Sequence, residues 1–151
     1  MGAKEVQKRV NEFSEACRRY GVKATHQRRE IYREIARTDE HPDAEMIYTR
    51  VRKRIPEISL DTVYRTLHLL ETKGLITRVG FLGDKTRFDA NTDRHHHFVC
   101  TECGLMEDIY NKEWNDFQAR SEVTTTGTVN SMHVELRGLC KACQEKRSDK
   151  G

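Results

Sequence analysis

Residues 95–103 read H-H-H-F-V-C-T-E-C, nine positions that hold three imidazoles and two thiols. A second C-x-x-C pair, Cys140 and Cys143, lies near the C-terminus. A two-residue gap lets both sulfurs of a knuckle turn toward one ion, and two knuckles complete a tetrahedron. Cys100, Cys103, Cys140 and Cys143 therefore read as one structural zinc site. It would tie together the ends of a small C-terminal domain, a staple that a core of this size needs. Two disulfides or loose thiols are the competing reading, and they require an oxidising compartment. Zinc thiolates that double as a redox switch lie between the two.

The histidines are too many for the same zinc. His95 and His97 are two residues apart, so on a strand they leave one face and His96 leaves the other. Asp89 and Asp108 are nearby carboxylates in sequence. Imidazole with hard oxygen ligands suits Fe(II), Mn(II), Ni(II) or Zn(II) more than a soft thiophilic ion. The bland alternative is a solvated polar run. His68 and His133 read as structural or surface histidines.

Toward the N-terminus the pattern turns helical. Val6, Val10, Phe13, Cys17 and Tyr20 form one stripe over residues 5–20, ended by Gly21. Cys17 on that stripe reads as a small buried hydrophobe. Thr25 caps a second helix with Ile31, Tyr32 and Ile35 inward and His26, Arg28, Arg29 and Arg33 outward. His41-Pro42-Asp43 opens a third helix, Ala44 to about Arg54, stopped by Pro56. Ser59 caps a fourth that runs to Gly74, with Leu60, Val63, Leu67 and Leu70 on its apolar stripe. Asp61, Thr62, Arg65, Thr66 and His68 lie off that stripe and Tyr64 borders it.

L-I-T-R-V and T-R-F-D then flank the turn at residues 80–84 as two strands. Helices followed by a two-stranded ribbon describe a winged helix-turn-helix, whose helix before the wing enters the major groove. An ordinary helical domain with a solvated polar face would share the pattern. After a short polar hinge, His97–Cys100 and Leu105–Ile109 read as strands. A helix over about Glu113–Thr124 follows, with Trp114, Phe117 and Val123 inward and Gly127 at its end. The run from Val129 to Arg137 alternates like a half-buried strand, and a basic tail from Lys141 forms a short helix.

Hydrophobic residues make up 36% of the 151 and charged ones 34%, which suits a folded chain rather than a disordered one. The charge is uneven: residues 1–84 carry 17 Lys and Arg against 13 Asp and Glu, residues 85–151 only 10 against 11. A basic N-terminal half points weakly to a polyanion. Lys4, Glu5, Lys8 and Arg9 precede any apolar run, and no run is long enough to span a membrane. Thiolates held on metal in a reducing cytoplasm are the expectation.

R-R-E-I-Y, H-P-D-A-E-M-I-Y, L-D-T-V-Y-R-T-L, T-R-F-D and H-H-H-F-V-C-T-E-C-G, with the closing C-x-x-C, occur in the order and spacing of the ferric uptake regulator family. The resemblance runs from about residue 15 to residue 147. It implies an α+β protein, with an N-terminal winged helix-turn-helix domain followed by a small α/β dimerisation domain with the four-cysteine zinc site. The corresponding boundaries are 1–84, a hinge at 85–94, and 95–151. It further implies a metal-dependent repressor that binds operator DNA as a homodimer, with neither a membrane nor a small organic substrate as partner. Carried over position by position, the zinc ligands fall on the four knuckle cysteines. The regulatory Fe(II) or Mn(II) site falls on His41, Asp89, His95, His97 and Asp108.

Aspartate at both 89 and 108 resembles the peroxide-sensing branch, where iron-catalysed oxidation would strike His41 or His95. Arg94 and Met132 stand where a third metal site would have histidines, and His133 is one residue off. Arg65 instead resembles the iron-uptake branch, whose members respond to Fe(II) level without self-oxidation. On the recognition helix, Arg65 is expected at a guanine and Tyr64 at a thymine methyl, with Thr62 beside them and Arg28 and Arg29 facing phosphates. A non-haem iron enzyme or a metal store would use similar ligands. Five protein donors leave such an enzyme little open coordination, and a store would have no purpose for the T-V-Y-R-T-L helix.

Overall fold

The computed structural model describes residues 2–82, 85–115, 125–128 and 132–151. The chain divides into two compact units, Met1–Thr92 and Asp93–Gly151.

The first unit comprises α1 (Ala3–Arg19), α2 (His26–Ala36), α3 (Ala44–Arg52), α4 (Leu60–Thr72) and an antiparallel ribbon of β1 (Thr77–Leu82) and β2 (Lys85–Asp89). Val6, Val10, Phe13 and Cys17 of α1 are buried as their 3.6-residue spacing requires. Tyr20 is not: it is 55% exposed, because it forms the C-cap and has left helical geometry before Gly21 turns at φ 68°. Phe13 stacks on Tyr32 with centroids 4.1 Å apart. Burial pushes the Cys17 thiol pKa up, with Arg28 opposing, which keeps it an inert core side chain.

Three helices begin where a side chain satisfies an otherwise orphaned N–H. Thr25 Oγ1 accepts from Arg28 N, Asp43 Oδ1 from Met46 N at 2.8 Å, and Ser59 Oγ from Thr62 N at 3.1 Å. On α4 the buried set is Val63, Thr66, Leu67 and Leu70. Thr66, expected off the stripe, is buried and completes its i, i+3, i+4, i+7 arc instead. Periodicity also gave no hint that Glu30 and Glu34 of α2 are buried. Arg54 bridges them, Nε to Glu30 and Nη2 to Glu34, both at 2.6 Å.

Among the described residues, the second unit is built on a three-stranded sheet of order β4-β3-β5. Central β3 (His96–Cys100) is antiparallel to β4 (Met106–Ile109) and parallel to β5 (Glu135–Gly138). Gly104, at φ 75°, closes the first knuckle, with its N–H on the Cys100 carbonyl. The helix expected from Glu113 is described as α5 (Lys112–Asn115); Phe117 and Val123 lie outside the described residues. The alternating run from Val129 supplies a strand only from Glu135 onward, with 129–131 outside the described residues. The basic tail forms α6 (Lys141–Ser148), tied to the knuckle by Arg147 Nε on Glu102 at 3.0 Å.

Candidate metal centres

Cys100 ends β3, Cys103 sits in the knuckle turn, and Cys140 caps α6, which carries Cys143 one turn in. Each of the four offers a sulfur within 4.8 Å of the others, and Cys103 Sγ lies 3.7 Å from Cys140 Sγ. Four sulfurs about 2.3 Å from a tetrahedral zinc lie about 3.8 Å apart, whereas a disulfide needs about 2.05 Å. The donor set and its spacing therefore fit zinc, and all four thiols are free. Backbone N–H groups of Cys103 and then Cys140 pull the Cys100 thiol down to about 6. Hydrogen bonding to Cys140, then burial, pushes Cys143 up to about 12. A divalent cation is what would let all four ionise together.

Beside it, register builds a second arrangement. His97 on β3 pairs directly with Asp108 on β4, so both side chains rise from one face. His97 Nε2 lies 3.2 Å from Asp108 Oδ1, and His95 Nε2 lies 3.6 Å from the same oxygen. Adjacent ligands about 2.1 Å from an ion stand about 3.0 Å apart at right angles, so two nitrogens and one carboxylate oxygen fit a hard-to-borderline cation. His95 donates its Nδ1–H to the Asp93 carbonyl at 2.6 Å, which directs Nε2 inward. Tyr110 stacks over it, centroids 5.5 Å apart.

His96, as expected, leaves the opposite face, and it is wholly buried. Val134 N donates to its Nδ1 at 2.9 Å, so Nε2 carries the proton and donates to Asn115 Oδ1 at 3.0 Å. Neither partner could be foreseen, because both come from distant segments. Nor could the position of His133: its Nε2 lies 3.3 Å from His97 Nδ1. Partial desolvation of this otherwise exposed side chain, then the neighbouring His97 and His96, lowers its pKa.

The first unit holds its own pair. The H-P-D segment runs beside β2, with Asp43 bridged to Arg87 and Phe88 N donating to the Pro42 carbonyl at 3.1 Å. That places His41 Nε2 3.2 Å from Asp89 Oδ2, while Asp89 Oδ1 accepts from Asn91 N. His41 occupies the left-handed region at φ 53°, a strain that nearby Pro42 and the cap at Asp43 hold in place.

On α4, Tyr64 is 51% exposed, and Arg65 projects from the helix in an ion pair with Asp61 at 2.9 Å. Arg28, Thr62 and Arg65 share one surface hollow with Thr25, Gln27 and Thr66. Tyr64 lines a different hollow, toward the wing. Arg29 does not line the first hollow; it donates to the Ala24 carbonyl at 3.0 Å.

The sequence pattern of the Ferric uptake regulator family matches residues 19–137. A peroxide-responsive repressor, PerR, of Staphylococcus aureus is 30% identical over 141 residues, covering 93% of this chain and 95% of that protein. Among solved structures, the Campylobacter jejuni peroxide stress regulator is 29% identical with a TM-score of 0.66, covering 95% of this chain and 100% of that one. The ferric uptake regulator Fur of Vibrio cholerae is 28% identical with a TM-score of 0.65, covering 84% and 98%.

Proposed function

The chain belongs to the ferric uptake regulator family, metal-responsive transcriptional regulators rather than enzymes, and from that premise we propose that it is a repressor that senses hydrogen peroxide. It would bind operator DNA as a homodimer when Fe(II) or Mn(II) fills its regulatory site, with zinc on the four cysteines as a structural ion. The observation that carries the reading is that each unit presents an incomplete set of the same donor chemistry. The first offers His41 on Asp89, and the second offers His95 and His97 around Asp108. Neither set alone fills a six-coordinate ion.

A shared ion would couple the winged helix to the dimerisation unit. It would select one separation of the two recognition helices, as half-sites a fixed number of turns apart demand. Arg28, Thr62 and Arg65 would then meet DNA from one hollow. Tyr64 would contribute an apolar surface, and Arg29 a phosphate contact near the start of α2. Fe(II) supplies the peroxide chemistry, whose net result is one oxygen inserted into a ring C–H of His41 or His95 with release of water. Either ring, once oxidised, would no longer present the same nitrogen, and the selected dimer geometry would relax. Aspartate at both 89 and 108 and the likeness to two peroxide regulators support this branch.

The second reading is an iron-uptake regulator that follows Fe(II) level without self-oxidation, which Arg65 and the likeness to the Vibrio protein favour. Low hydrogen peroxide applied to Fe(II)-loaded and Mn(II)-loaded protein separates the two. Mass spectrometry should find one added oxygen on the His41 or His95 peptide with iron only, together with loss of operator binding. If both forms stay unmodified and DNA binding tracks iron concentration, the uptake reading replaces the peroxide one.

A further inference from the structure

His97 has two ring nitrogens and a defined neighbour at each. Nε2 faces Asp108 Oδ1 at 3.2 Å, on the side it shares with His95. Nδ1 faces His133 Nε2 at 3.3 Å, with ring centroids 5.0 Å apart. His133 lies just before β5, and the residue after it fixes the chain at two points. Val134 N donates to His96 Nδ1 at 2.9 Å, and its carbonyl accepts from His97 N at 3.2 Å. The backbone that carries His133 is thereby held against β3, and its ring is delivered onto His97.

An imidazole ligates through the nitrogen that keeps its lone pair, so the other nitrogen holds the proton and, when buried, must give it to an acceptor. His97 is 1% exposed, so solvent is a poor source of that acceptor. His95 solves the same problem with the Asp93 carbonyl. We propose that His133 is a positioning residue for the regulatory site: its Nε2 accepts the Nδ1 proton of His97 and holds His97 Nε2 toward Asp108 to receive the ion. The inference rests on the reading that His95, His97 and Asp108 take part in that site. It makes His97 the ligand whose orientation depends on a replaceable side chain rather than on backbone.

The test titrates full-length, zinc-containing protein with Mn(II), following free Mn(II) by electron paramagnetic resonance. Wild type is compared with Asp108→Ala, His133→Phe and His133→Gln. The expected result is one Mn(II) bound by wild type and none by Asp108→Ala. His133→Phe should weaken binding about 10–100-fold, the usual effect of losing the partner behind a ligand histidine. His133→Gln, whose amide oxygen is an acceptor, should recover most of the affinity. The Co(II) absorption bands should shift in His133→Phe and return in His133→Gln. Unchanged zinc content certifies the fold; if His133→Phe loses zinc, His133→Ala takes its place.

Wild-type affinity in His133→Phe, with binding still lost in Asp108→Ala, overturns the role of His133 and leaves the site standing. Equal weakening in Phe and Gln variants assigns His133 to packing and also overturns it. Unimpaired Mn(II) binding by Asp108→Ala, or no Mn(II) binding by wild type, removes the underlying site and the inference with it.

Discussion

In the N-terminal unit, twenty buried side chains among the described residues, from α1–α4, their connections and the wing, form one apolar cluster around Ile31, Ile47, Val63 and Leu70. In the C-terminal unit, among the described residues, Cys100, Cys140 and Cys143 cluster with Phe98 and Leu139, and Val99 and Met106 are buried as well. Leu105 and Leu136 there remain 41% and 42% exposed. Among the described residues, the first unit is held mainly by apolar area removed from water, and the second gathers four thiols whose spacing fits an ion. The difference teaches where each is vulnerable: the first to lost volume, the second to lost ligands.

The sharpest way to break this contrast is Cys140→Ser. Binding of structural zinc to four thiolates is worth on the order of 10 kcal/mol in small domains, a large share of what holds a unit of this size. Zinc should leave, and hydrogen exchange should show the sheet β4-β3-β5 opening while α1–α4 keep their protection. If both units open together, the two are not independently stabilised and the comparison fails. The mirror experiment is Ile47→Ala, at a side chain with no exposure at all. It should cost roughly 2–5 kcal/mol in thermal unfolding of the first unit and leave zinc content untouched.

Next in size is the charged exception inside the apolar unit. Arg54→Met leaves Glu30 and Glu34 without their bridge, although Arg33 still reaches Glu30 at 3.1 Å and Arg37 still reaches Glu34 at 3.3 Å. The Arg54 side chain is 38% exposed, so the expected loss is about 2–3 kcal/mol, below the 3–5 typical of a fully buried pair. Burial pushes the Glu30 carboxyl up, but hydrogen bonds from Arg54 and Arg33 outweigh it and hold the group below its ordinary 4.5. A depressed folded pKa stabilises above the unfolded value and is lost as pH falls through the folded one. Acid titration of wild type should therefore show a stability loss beginning below pH 4.5, and Arg54→Met should blunt it.

What the sequence made legible follows the same division. Caps at Thr25, Asp43 and Ser59, the stripes of α1 and α4, and the paired knuckles are local patterns, and local patterns announce themselves in one dimension. Glu30, Glu34 and Arg54 did not, because a buried carboxylate looks like a surface one until its partner, 20 or 24 residues away, is placed. The alternation of His95 and His97 was readable: β3 begins only at His96, yet both Nε2 atoms approach the same Asp108 oxygen. The partner of His97 was not, since His133 reaches it from 36 residues further along, outside any regular strand. Likewise no spacing rule reports that His41 sits at positive φ; only the pairing of H-P-D with β2 shows why it is held there.

The smallest expected effect on folding is also where stability and function should separate most cleanly. Arg65 and Asp61 form an i, i+4 pair at 2.9 Å, yet both side chains are 75% exposed. Water and salt screen such a pair, so Arg65→Ala should change the free energy of unfolding by no more than about 0.5 kcal/mol. A bidentate contact to guanine is worth about 1–3 kcal/mol, so the same variant should bind operator roughly 5–150-fold more weakly with its metal affinity unchanged. Asp61→Ala sharpens the point: it removes the same ion pair but keeps the guanidinium. It should match Arg65→Ala in stability and bind DNA at least as well as wild type. If the two variants weaken DNA binding equally, the role of Arg65 is to orient α4 through Asp61, and the base contact belongs to another residue of that helix.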